Sequence, residues 1–235
     1  MRQFVHLLAF EGIGLPTDLW LPTTDRILPQ ESWQVAAGYA FKISKKIDIT
    51  IEGYYKEMKN LIAYKEGSGL FELSDWEDRI TQGNGDSYGA ELFIQKRTGK
   101  LSGWMGYTLS WTNRQFDDLN FGNEFPYKFD RRHDLSIVGV YELSDQLNLA
   151  ATWVYGTGNA VSLANSTFKT HVLGEGYDSS TSIGDYFTNR NNYRLRAYHR
   201  FDIGINFVKK REKFTGTWSI AVSYTHLTLP TKRIV

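Results

Sequence analysis

Apolar and polar positions alternate along most of this chain. Around residues 135–143 every second position is apolar or glycine: Leu135, Ile137, Gly139, Tyr141 and Leu143. The intervening set is Asp134, Ser136, Val138, Val140 and Glu142. Ser144, Asp145 and Gln146 are turn formers. The alternation then resumes, with Leu147, Leu149, Ala151, Trp153 and Tyr155 against Asn148, Ala150, Thr152, Val154 and Gly156. A period of two marks a strand with unlike faces, and two such strands around a short turn make a hairpin.

The unit recurs. Val35, Ala37, Tyr39, Phe41 and Ile43 form one face, and after Ser44-Lys45-Lys46 the next is Ile47, Ile49, Ile51, Gly53 and Tyr55. Ala90, Leu92 and Ile94 precede the tight turn Thr98-Gly99-Lys100, and Met105, Tyr107, Leu109 and Trp111 follow it. Phe201, Ile203, Ile205 and Phe207 lead into a turn over 209–213, and Trp218, Ile220 and Val222 begin a last strand. Phe4, His6, Leu8 and Phe10 read as the tail of an earlier strand.

Long connections, expected over 11–32, 65–86, 115–130 and 161–195, alternate with the short turns. No proline falls inside a strand pattern. This order predicts an all-β fold: an antiparallel, up-and-down transmembrane β-barrel segment of about eight strands, with short periplasmic turns and long extracellular loops. Asp48, Glu52, Glu91, Gln95, Asp134, Asn148, Asp202 and Asn206 would then line the polar interior. Alternation alone fits equally an antiparallel sheet with one solvated face; the asymmetry of the connections favours the barrel.

Composition narrows this further. Aromatic residues make up 15% of the 235, which suits strands, and there is no cysteine for a disulfide or thiolate metal site. The formal charge of +1 offers no electrostatic case for nucleic acid. It is unevenly spread. The four long connections hold 17 acidic and 7 basic residues, a net −10, while Lys45, Lys46, Lys96, Arg97, Lys100, Lys209, Lys210, Arg211 and Lys213 gather at the turns. Cationic turns suit anionic headgroups.

Candidate chemistry is sparse. His133 beside Asp134 invites a catalytic reading, but neighbours on a strand point to opposite faces. No G-x-S-x-G or H-E-x-x-H occurs, and the chain is not expected to be an enzyme. No catalytic, cofactor or metal residues are assigned. Arg132 and Asp134 are expected to form a structural cluster at the barrel rim, as an arginine–carboxylate pair on the inner face. The loops present Trp20, Trp76, Phe121, Tyr127, Tyr177, Tyr186 and Tyr193 as flat faces for a sugar or apolar ligand. The acidic mouth points to a neutral or cationic ligand, such as a glycan or peptide.

Several longer stretches resemble a known family. They are LPTDLW (15–20), EGYYKEMKNLIAYKEG (52–67), GDSYGAELFIQKRTGKLSGWMGYTLSWTNRQF (85–116), FPYKFDRRHDLSIVGVY (125–141), LAATWVYGTGNAV (149–161) and YHRFDIGINF (198–207). In this order they resemble the C-terminal part of a TonB-dependent outer-membrane receptor of the Bacteroidetes type. The resemblance implies a 22-stranded barrel around a plug, with residues 1–222 supplying part of the barrel and the plug and earlier strands lying outside the chain. It further implies active import of a small molecule, glycan or peptide across the cell outer membrane. Energy would come from the TonB complex, through an N-terminal region this chain lacks, and a surface lipoprotein partner is possible within the family. The alternatives are an outer-membrane barrel hydrolase and a soluble, adhesin-like β-sheet binding protein. Residues 223–235, SYTHLTLPTKRIV, depart from the family and resemble the translated adapter tail of metagenomic gene fragments; they are expected to be non-native.

Overall fold

A computed structural model describes residues 1–8, 18–65, 75–173, 179–186, 188–210 and 214–226. Eight long strands dominate: β1 (Gln30–Ser44), β2 (Ile47–Tyr64), β3 (Ile80–Lys96), β4 (Leu101–Gln115), β5 (His133–Ser144), β6 (Leu147–Gly156), β7 (Tyr198–Lys210) and β8 (Thr215–His226). Each pairs antiparallel with its sequence neighbours, so the sheet is an up-and-down meander from β1 to β8. Arg2–Gln3 lengthens the β1 edge and Phe125–Pro126 adds a short pairing to β4. The chain is therefore all-β and antiparallel, as the alternation requires.

The register carries the sequence pattern across the whole sheet. On one face, Tyr39 lies opposite Ile51, Ile51 opposite Leu92, Leu92 opposite Tyr107 and Tyr107 opposite Leu135. Further along, Ile137 meets Trp153, Trp153 meets Phe201, and Ile203 meets Val222. The opposite face pairs Asp48 with Gln95, Glu52 with Glu91, Thr152 with Asp202 and Asn148 with Asn206. There Asn206 Nδ2 donates to Asn148 Oδ1 at 2.9 Å. Phe93 and Trp104 interrupt this polar face, their rings 6.0 Å apart.

Among the described residues, neither face is covered by a second layer. Val35, Tyr39, Ile43, Ile51, Trp218, Ile220 and Val222 are all exposed on the apolar side. Toward the long-loop end that side closes in aromatic rings. Trp33 and Tyr55 lie 5.6 Å apart, Tyr88 and Trp111 stack at 5.3 Å, and Tyr155 meets His199 at 4.9 Å.

The buried cores sit at the loop end instead. Met58, Leu61, Ala63, Phe116, Leu119 and Phe125 form one; Leu8, Ile27, Ile62 and Ile80 form the other, with Leu21, Tyr64 and Trp76 against it. β2 enters between them. Its pairing with β3 shifts between Met58 and Leu61, and Asn60 there has φ of 57°. This β-bulge re-aims the strand, and beyond it successive residues go to different cores. Gly83 on β3 allows the close approach, because a Cβ there would lie 2.4 Å from the Phe116 ring.

Several expected boundaries differ. Val5–Leu8 does not continue into the main sheet but pairs with Leu19–Pro22, inside the connection expected over 11–32; the reason is burial of His6 and Leu8 toward the loop core. Phe10 lies outside the described residues. β3 begins at Ile80, well before Asp86, because Ile80 and Thr81 are buried at the loop end. The connection expected over 161–195 contains the pairing of Ser166–Leu173 with Ser179–Tyr186 and of Ala160–Val161 with Tyr193–Arg194. The strand expected to begin at Trp218, Ile220 and Val222 is present as β8 and continues to His226, with Ser223 opposite Asp202 and Tyr224 opposite Phe201. Residues 211–213 and 227–235 lie outside the described residues.

Candidate functional site

At one end of the sheet the connections are tight: Lys45-Lys46 between β1 and β2, residues 97–100 between β3 and β4, and Asp145-Gln146 between β5 and β6. At the other end, among the described residues, 75–79, 116–132, 157–173, 179–186 and 188–197 form a layer of loops. That layer is the candidate site, since loops on a rigid scaffold carry most binding groups.

Its centre is Asp130, whose side chain is 1% exposed. Thr112 N donates to Asp130 Oδ1 at 2.8 Å. Arg194 Nη2 donates to Asp130 Oδ2, and Arg194 Nη1 to the Asp130 carbonyl at 2.7 Å. Arg132 Nη2 approaches the same carboxylate at 3.5 Å. One buried carboxylate thus ties the end of β4 to loops distant in sequence. A buried charge is tolerated only with partners of this kind.

Asparagines extend the clamp. Asn120 Oδ1 accepts from Arg190 N at 2.8 Å, and its Nδ2 donates to the Asn123 carbonyl at 3.1 Å. Asn191 Nδ2 donates to the Pro126 carbonyl at 2.9 Å, and Asn191 N to Ser162 Oγ at 2.9 Å. Asn192 Nδ2 reaches the Leu163 carbonyl at 3.1 Å and Asn165 Oδ1 at 3.0 Å. Asn120 and Asn191 take positive φ, which asparagine tolerates better than most residues. Sequence reasoning assigned no role to Arg194 or to these asparagines. The Asn191-Asn192 doublet was the one signal in the chain, and it reads equally as loop chemistry.

The expected Arg132–Asp134 pair does not form. Asp134 is held by Arg131 at 3.3 Å, while Arg132 turns to Asp130 and lies 4.5 Å over the Trp111 ring. The regular strand begins only at His133, so strand parity cannot be extended back to Arg132. Both residues do lie at the loop end. Among the described residues His133 has no carboxylate partner either: its Nδ1 shares a 2.8 Å hydrogen bond with the Tyr107 hydroxyl.

The aromatic candidates are dispersed. Phe121 is 83% exposed in the short turn Asn120–Gly122, and Trp20 is exposed on Leu19–Pro22. Tyr186 and Tyr193 are each half exposed. Trp76 opens the 3-10 turn Trp76–Arg79 and packs against the Leu8–Ile27–Ile62–Ile80 core, so only part of its ring is free. Tyr127 carries the Arg114 guanidinium 3.4 Å above its ring and meets Phe129 edge-on at 5.4 Å. Tyr177 lies outside the described residues. Two shallow concavities, about 200 Å³ beside Trp33 and Glu57 and about 520 Å³ beside Glu142 and Asn148, are lined by none of the seven.

No protein-family model matches the chain, and no curated protein matches it. Among solved structures it is similar to the crystal structure of the Pseudomonas putida toluene transporter TodX, at a TM-score of 0.36 and 11% identity over 86% of this chain. The chain spans 56% of that protein's length. A likeness this distant distinguishes no function.

Titration in the loop layer has two clear features. Burial pushes the His6 imidazole below its ordinary pKa, only partly offset by its 3.0 Å hydrogen bond to the Leu28 carbonyl. Arg26 donates to Asp78 at 2.6 Å and holds that carboxyl below its usual range. Arg26 also reaches Glu77 at 3.3 Å, pinning residues near β1 to the turn before β3. Among the described residues, no group of three or more histidine, aspartate or glutamate side chains is gathered at metal-binding spacing.

Proposed function

We propose that this chain is the C-terminal barrel segment of a TonB-dependent outer-membrane receptor, and that the full-length protein imports a ligand captured at its loops. The observation that carries the reading is the uncovered apolar face running across all eight long strands. Soluble monomers rarely expose a contiguous apolar patch beyond a few hundred Å². In a bilayer the same face meets hydrocarbon, the aromatic rings at its loop end meet the headgroup boundary, and the polar face lines a lumen. The order of tight turns and long loops is that of an outer-membrane barrel.

In this reading the chain performs no covalent chemistry. The barrel spans the membrane and the loop layer holds the ligand, while a plug domain of the full-length protein gates passage under TonB coupling. The loops' net −10 favours a neutral or cationic cargo, such as a glycan or peptide, handed on by a surface lipoprotein.

The test is fractionation and uptake with the full-length protein. It should be recovered from the outer membrane only with detergent, and uptake should stop when the proton-motive force is collapsed. Recovery in the soluble fraction without detergent would end the barrel reading. Uptake that persists without the proton-motive force would end the TonB reading and leave the barrel. Tight binding of an anionic ferric chelate, weakened steeply by salt, would overturn the cargo assignment.

A further inference from the structure

The apolar face is not symmetric from end to end. Along β3 its row reads Asp86, Tyr88, Ala90, Leu92, Ile94, Lys96, from acid through aromatic and aliphatic residues to base. β1 and β2 repeat the acidic start, with Glu31 beyond Trp33 and Glu57 beyond Tyr55. At the turn end, Lys96 lies opposite Ile47 at the limit of the apolar row. Lys45, Lys46 and Lys100 are exposed on the same pair of neighbouring turns. Farther along, Lys209 follows Phe207, which lies opposite the exposed Trp218.

The nearby acids leave this cluster cationic. Asp48 is taken by Arg97 at 3.0 Å. Glu142 on β5 lies beside Lys100, its N donating to the Lys100 carbonyl at 2.7 Å, but its carboxylate makes no ion pair among the described residues, and Asp145 belongs to the next turn. None of Lys45, Lys46, Lys96 and Lys100 makes an ion pair among the described residues. A lysine at the limit of an apolar row lays its methylenes on hydrocarbon and lifts its ammonium to the headgroups.

We infer that the turns after β1 and β3 bind anionic phospholipid headgroups through Lys45, Lys96 and Lys100. The inference rests on the membrane reading above and adds a lipid class to it. The contact is electrostatic, contributing on the order of fivefold per lysine at low salt.

The test reconstitutes the full-length protein in bilayer discs of equal parts phosphatidylcholine and phosphatidylglycerol. The two lipids retained after mild extraction are counted by native mass spectrometry. Phosphatidylglycerol should be enriched at least fivefold, and the enrichment should collapse toward parity in high salt and in the triple variant K45Q/K96Q/K100Q. The arginine triple K45R/K96R/K100R should keep it, as should K56Q on the polar face. Absence of enrichment in the unaltered protein, or enrichment that survives the glutamine triple, overturns the inference while leaving the barrel intact. Suppression by inorganic phosphate at constant ionic strength would mark a free-anion site and also overturn it. A protein that takes up neither lipid defeats the membrane reading itself.

Discussion

At the scale of single residues, the two aspartates flanking Arg131–His133 make opposite predictions. Asp130 is buried and holds Arg194, Arg132 and the Thr112 amide. Asp130→Ala leaves guanidinium groups without their carboxylate in a part-buried site and should destabilise the loop layer by about 2–4 kcal/mol. Asp134→Ala removes an exposed pair with Arg131 and should cost under about 1 kcal/mol. Urea unfolding of the full-length protein in detergent measures both, and equal effects would remove Asp130 from its central place. His6 gives a pH dependence. Its folded pKa lies below the ordinary value near 6.5, so above that value both states are neutral and pH has no effect. As pH falls below it, the unfolded chain takes up the proton first and stability declines. Amide protection factors at Leu8 and Ile27, corrected for the intrinsic pH dependence of exchange, should therefore fall between pH 7 and pH 5 (about 6.5 being the onset), and His6→Gln should flatten the response. None of this detail was legible in the sequence, since whether Arg131 or Arg132 reaches Asp134 depends on where regular strand geometry starts.

At the scale of the strand, the alternation was legible and the interruptions were not. Leu149, Trp153 and Ile137 share the apolar face with their expected neighbours, because a period of two survives any antiparallel register that keeps like faces together. β2 past the bulge is different. Leu61 and Ile62 are both buried, in separate cores, so no polar face remains there to reveal a strand. The pairing of Ser166–Leu173 with Ser179–Tyr186 was hidden likewise, because its serines and threonines match loop composition. The two faces lead to a direct comparison. On the membrane reading, Leu149→Arg places a charge against hydrocarbon and should cost roughly 2–4 kcal/mol. Thr152→Arg adds a charge opposite Asp202 on the polar face and should cost less. Refolding yields of the full-length protein into vesicles measure the difference, and equal yields would show the faces to be misassigned.

At the scale of the whole molecule, the sheet has edges. Among the described residues β8 pairs only with β7, and β1 has only Arg2–Gln3 on its outer side. Unpaired edges beside a bare apolar face favour association. Residues 1–235 expressed alone should pellet without detergent and show no uptake, whereas a monodisperse, detergent-free product would contradict the uncovered face. The long-loop and short-turn order announced this architecture. The loop layer as a folded unit did not show in composition because its decisive contacts, Arg194 with Asp130 and Arg190 with Asn120, join residues far apart in the chain.

The length of β2 sets an altitude. Its 18 residues at about 3.3 Å each extend roughly 60 Å. At a tilt of about 40° the strand climbs roughly 45 Å, against an apolar band of about 25 Å. The segment beyond the Met58–Leu61 bulge accounts for about 10 Å of that climb. On the membrane reading, the Asp130 clamp and both small cores stand like a parapet above the headgroups. If the full-length protein does import a ligand, that cargo would come down from the water, not sideways out of the lipid, and a protein partner could grip the loops without touching the membrane at all.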